Sequence, residues 1–127
     1  MKLNAVGVSS RDLKKSVAFY TLLGFEFPSF KSDEQHVEVS SHEGAKLMID
    51  KASLVKDIIG EEPRPANHSP FAIEYDSPEE LNVTAKKIKD AGFTIVKEPW
   101  DAFWGQRYAI VQDPDGYKVD LYANLKK

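Results

Sequence analysis

One pattern runs through the chain twice: alternating apolar and polar residues, an apolar stripe at helical spacing, then alternation again. Residues 3–9 place Val6 and Val8 on one face, which predicts a strand. Asp12 stands at a helix N-cap position. Leu13, Val17, Tyr20 and Leu23 then recur at helical spacing, and Gly24 suits the helix end. FEFPSF, QHVEVS and KLMID read as three short strands. SPFAIEYD opens the second round as a strand, and Ser77-Pro78-Glu79-Glu80 marks a helix start. Leu81, Ala85, Ile88 and Ala91 form the second stripe, closed by Gly92. FTIVKE, QRYAIVQ and YKVDLYA complete the round as strands.

The order is strand, helix, three strands, repeated. This predicts an α+β fold of two tandem βαβββ modules, forming a curved sheet with helices on its outer face. One domain over residues 1–127 is expected, with module one at about 1–52, module two at about 69–127 and a linker at about 53–68. Within that linker, SLVKDIIG suggests a short helix.

The period of two also sorts the strand residues into faces. Val6, Val8, Leu47, Ile49, Phe71, Ile73, Tyr75, Ala109, Val111, Val119 and Leu121 make an apolar set that should lie under the helices. The opposite set mixes Ala5, Gly7, Lys46, Met48, Asp50, Pro70, Ala72, Glu74, Tyr108, Ile110, Lys118, Asp120 and Tyr122. A sheet covered on one face leaves such a mixed second face to water, a ligand or a partner.

Composition narrows the classes. The chain has 127 residues, 42% hydrophobic and 29% charged, which suits a compact soluble domain. The net charge is −3 with the signs interspersed, so no basic stripe marks a nucleic-acid binder. No apolar run is long enough for a membrane span. The opening MKLNAVGVSS lacks the apolar block of an export signal, so a cytoplasmic protein is expected. With no Cys, thiolate metal sites and cysteine nucleophiles are excluded. No phosphate-cradling Gly-rich loop or G-x-S-x-G elbow occurs.

Two stretches are more specific: VGVSSRDLKKSVAFYTLLGFEF and WGQRYAIVQDPDGYKVDLY. In the second, Asp113-Pro114-Asp115-Gly116 forms a tight turn before a strand bearing Asp120. With these motifs the chain resembles the vicinal oxygen chelate superfamily, which includes glyoxalase I, bleomycin-resistance proteins and extradiol dioxygenases. The resemblance implies one divalent metal held by four inward side chains. In this sequence their positions fall on Ala5, Met48, Pro70 and Asp120, so only Asp120 offers a hard donor. A catalytic divalent site needs about three protein ligands. No metal or other cofactor is therefore expected, and the resemblance is nearest to the metal-free bleomycin-resistance-like branch.

That branch implies a homodimer with a small organic ligand in a groove built by both chains. Aromatic and cationic molecules are the candidates. Trp100, Phe103 and Trp104 are expected in a loop before the strand QRYAIVQ. Trp100 divides between ligand stacking and a packing or subunit contact; Trp104 reads as structural, and Arg107 as a brace for the WGQR turn. The ligand residues expected are Met48, Trp100, Tyr108, Asp120 and Tyr122. The alternative is a metal-dependent lyase or isomerase with displaced ligands, drawn from His68, Glu74 and Asp120. His36 and His42 read as exposed polar residues and His68 as a linker residue. A third class is an interaction module with no small-molecule role.

Overall fold

The computed structural model describes residues 1–126. Among these residues the architecture is α+β, with two sheets and three helices. The chain divides into two compact units, Met1–Pro65 and a second beginning at Ala66. Among the described residues, no helix is long and apolar enough to cross a membrane.

The first unit contains β1 (Ala5–Ser10), α1 (Leu13–Leu23), β2 (His36–Ser40), β3 (Lys46–Lys51) and α2 (Ala52–Ile59). Its sheet has the order β1-β3-β2, with β1 parallel to β3 and β2 antiparallel to it. Asp12 caps α1 by accepting the Lys15 N–H at 3.3 Å. Gly24 ends the helix at φ 120°, a conformation that favours glycine. The buried face of α1 is Leu13, Ser16, Phe19, Tyr20 and Leu23, while Val17 turns half toward solvent. Ser16 is accommodated because its hydroxyl lies 2.6 Å from the buried Ser10 hydroxyl.

FEFPSF forms no strand. Pro28 cannot donate to a ladder, and Phe25, Phe27 and Phe30 instead half-bury themselves as anchors of an irregular segment. Phe25 lies 6.2 Å from the Tyr20 ring. The expected linker begins with a helix: α2 packs against β1 and β3, then ends at Gly60, φ 83°.

The second unit contains β4 (Phe71–Glu74), α3 (Pro78–Asp90), β5 (Thr94–Ala102), β6 (Gln106–Gln112) and β7 (Lys118–Asn124). The sheet order is β4-β7-β6-β5, with β4 parallel to β7 and the other pairs antiparallel. Ser77 caps α3 through the Glu80 N–H, and Pro78 takes the first turn. α3 packs on β5, β6 and β7. Its Leu81, Ala85 and Ile88 are buried, as are Ala109, Val111, Val119 and Leu121 of the sheet. Full burial of each large aliphatic side chain contributes about 1.5–3 kcal/mol. Ala91 falls outside this stripe: it is the exposed C-cap residue, one turn beyond Ile88.

β5 is longer than FTIVKE and carries Trp100 within it, so Trp100 is a strand residue. Only Phe103, Trp104 and Gly105 form the turn into β6. The strand pairing shifts register between Ile95 and Lys97 and again between Lys97 and Trp100. These irregularities, with Pro99 between them, hide the strand from a period-two reading.

Candidate functional site

The face of the second sheet carrying Tyr108, Asp120 and Tyr122 is half-exposed, as its mixed composition predicts. β6 and β7 align Tyr108 with Tyr122, and their rings stack at 6.1 Å with 16° between planes. β5 brings Trp100 opposite Tyr108, with ring centroids 5.6 Å apart. Trp104 meets Tyr108 edge-on at 5.4 Å and Trp100 at 6.2 Å. The four rings form one aromatic platform. Phe103 extends it at 5.1 Å from Trp104 and is 97% exposed.

Polar groups border the platform. Tyr108 donates its hydroxyl to Asp120 Oδ2 at 2.5 Å, and Ser69 donates to Asp120 Oδ1 at 2.5 Å. Burial, then the Asp120 carboxylate, push the Tyr108 phenol up to about 12, so it remains a neutral donor near pH 7. Burial and the Glu74 charge also raise Tyr122. Tyr122 donates to Glu74 at 3.4 Å, and Asn124 Nδ2 to the other Glu74 oxygen at 3.3 Å. Gln106 bonds Asn124 at 3.1 Å and accepts the Trp104 indole N–H at 2.9 Å. Trp104 is thereby fixed in orientation while staying exposed. Arg107 braces β5 to β6 through Asp101 at 2.7 Å, and that bond holds the Asp101 carboxyl below its usual range.

Four of the expected ligand residues, Trp100, Tyr108, Asp120 and Tyr122, thus come together in the second unit. Met48 lies in the first unit, on β3, paired with Glu38 of β2 and Gly7 of β1. Sequence reasoning missed Ser69 and Lys97. Alternation through SPFAIEYD places Ser69 on the Phe71 face, but β4 begins only at Phe71, and Ser69 ahead of it reaches Asp120. Lys97 places its ammonium 4.8 Å from the Trp100 ring centroid.

The residues do not fit a hard divalent ion. At the positions the resemblance implies for ligands, Ala5, Met48 and Pro70 offer a methyl, a thioether and a pyrrolidine ring. Both Asp120 oxygens already accept hydroxyl protons. The displaced set is not assembled either: among the described residues, no group of three His, Asp or Glu side chains is placed to hold a metal. His68 is exposed, with Nδ1 3.4 Å from the Ser69 carbonyl.

His36 has different surroundings. Its ring lies between two carboxylates, Glu38 at 2.8 Å and Asp50 at 2.6 Å. Only the doubly protonated ring donates to both. The hydrogen bond to Glu38, followed by that to Asp50, raises its pKa above 6.5. Lys46 also pairs with Glu38, at 3.1 Å. A raised folded-state pKa adds stability that is complete below the unfolded value and is lost as pH rises through the folded one. We expect the His36 ring resonances to titrate above pH 6.5 and Glu38→Gln to lower the midpoint more than Asp50→Asn does. A wild-type midpoint at or below 6.5 in an NMR titration would contradict this arrangement.

The family model of the Glyoxalase/Bleomycin resistance protein/Dioxygenase superfamily matches residues 2–121. A probable lactoylglutathione lyase of Synechocystis is 40% identical over 50 residues, a match covering 39% of this chain and 38% of that protein. The chain therefore matches well under half the length of that curated relative. A glyoxalase-related enzyme from Fulvimarina pelagi superposes with a TM-score of 0.83 at 17% identity, covering 98% of this chain and 88% of the other. A hypothetical protein from S. aureus gives 0.80 at 19% identity, covering 97% and 93%. These two likenesses are of fold, and they match the βαβββ architecture.

Proposed function

The chain belongs to the glyoxalase/bleomycin resistance protein/dioxygenase superfamily, and from that premise we propose that it binds a small organic molecule without the superfamily's divalent metal. The reading places it in the bleomycin-resistance-like branch, as a cytoplasmic homodimer whose two chains build the ligand groove. The ligand is aromatic or cationic. Trp100, Tyr108, Asp120 and Tyr122 contact it. The observation that carries the reading is the aromatic platform edged by two acids, Glu74 and Asp120, with only hydroxyl and amide partners.

Such a face needs no chemical step to act. Flat rings gain stacking energy on Tyr108 and Tyr122, and a cationic substituent gains from the quadrupoles and the nearby carboxylates. Sequestration then requires affinity alone, and micromolar binding corresponds to about −8 kcal/mol.

Both Trp residues of the chain lie in the platform, so indole emission reports on it directly. Bleomycin and flat aromatic cations are expected to quench or shift that emission. Tyr108→Ala should weaken binding roughly tenfold, the loss of about 1–1.5 kcal/mol of stacking. An unchanged emission across the whole series would remove the proposal.

The similarity to a probable lactoylglutathione lyase favours a second reading, a metal-dependent lyase or isomerase. Stoichiometric nickel, zinc, manganese or iron retained by purified protein and released by Asp120→Ala would replace the binding role with that one.

A further inference from the structure

We propose that this face is electrically polarised and selects a flat zwitterion, with its cationic nitrogen toward the β4 edge and its anionic group toward the β5 edge. The inference rests on the reading of the face as a ligand surface and adds the ligand's charge pattern and length. The strand register aligns Asp120, Ile110 and Lys97 in one row across the sheet, and Glu74, Tyr122, Tyr108 and Trp100 in the next. Neighbouring strands lie about 4.8 Å apart, so Lys97 stands about 10 Å from Asp120 and Trp100 about 14 Å from Glu74. Lys97 and Trp100 are three residues apart and would point to opposite faces in a regular strand. The register shift between them brings both to this one.

The charges at the two ends are uncompensated. Among the described residues, Glu74 and Asp120 accept only from hydroxyl and amide groups, and no cation pairs with either. Lys118 shares their face but turns its ammonium to the Asn67 carbonyl at 3.0 Å. At the other end, among the described residues, Lys97 has no carboxylate partner, and its ammonium rests on the Trp100 ring. Some acids elsewhere are matched, Asp101 by Arg107, Glu98 by Lys89 and Glu38 by Lys46. Two carboxylates and an ammonium, none with an oppositely charged partner among the described residues, flank an aromatic cluster and complement a rigid ring system with opposite charges at its ends.

Three biphenyls test this on the full chain, read by Trp emission at low ionic strength. One carries an aminomethyl group at one end and a carboxylate at the other, one the aminomethyl group only, and one the carboxylate only. The zwitterion should bind more tightly than either single-charge compound by roughly threefold to fivefold, the range of one exposed ion pair. Lys97→Met should reduce the zwitterion to the affinity of the amine alone. Glu74→Gln should narrow the advantage of the zwitterion over the carboxylate. Equal binding of all three, or an advantage that survives Lys97→Met, overturns the polarity and leaves the binding role standing. No response to any of the three at millimolar concentration overturns both.

Discussion

Asp113→Ala is expected to lower the stability of the second unit by about 1–3 kcal/mol, since it removes the shared acceptor of two part-buried backbone donors. Asp113 is 3% exposed and opens the turn between β6 and β7. Its Oδ1 accepts the Asp115 N–H at 2.8 Å and the Tyr117 N–H at 2.9 Å. Its own N–H donates to the Tyr117 carbonyl at 2.8 Å, and Gly116 completes the turn at φ 96°. A methyl group satisfies neither donor. Asn keeps a carbonyl acceptor in nearly the same place, so Asp113→Asn should cost less than half as much. Urea denaturation followed by Trp emission measures both. A loss below about 0.5 kcal/mol for Asp113→Ala would mean that the turn holds without its side-chain bonds. The same turn sets the pairing that aligns Tyr108 with Tyr122 and Ile110 with Asp120, so a loosened turn should also disturb the stacking of the two rings.

Phe19→Ala should be costlier, about 3–5 kcal/mol, through loss of transfer energy and the cavity left behind. The ring is fully buried on α1 and meets Tyr20 edge-on at 4.9 Å. Leu47 and Ile49 of β3, a strand that α1 packs on, are fully buried as well. Phe19→Leu retains most of the volume and should cost less. Thermal unfolding followed by far-ultraviolet circular dichroism would show a fall on the order of 10 °C for the Ala variant. A fall of only a degree or two would show that neighbouring side chains collapse into the space.

Much of this fold is written locally. Ser77-Pro78-Glu79-Glu80 starts a helix by capping chemistry that acts within four residues, and α3 begins there. The alternation in YKVDLYA is unbroken, so Val119 and Leu121 are buried and Asp120 and Tyr122 share the other face. Features set by long-range geometry were less legible. FEFPSF alternates like a strand, but a strand also needs a neighbouring edge, and this segment instead anchors phenyl rings. Trp100 sits beyond two register shifts, which local periodicity cannot carry through. The bond from Ser69 to Asp120 joins residues 51 positions apart, so neither residue's local context contains it.

β5, one of the two outer strands of the second sheet, also bears on self-association. An unbroken ribbon of its nine residues would present a row of free amides and carbonyls to any passing chain. Here Pro99 removes one amide donor, two slips in pairing bend the backbone, and Lys97 and Glu98 add charge. Intermolecular sheet extension from this side is therefore disfavoured at high protein concentration. Straightening the strand by deleting a bulged residue should promote fibrous aggregation.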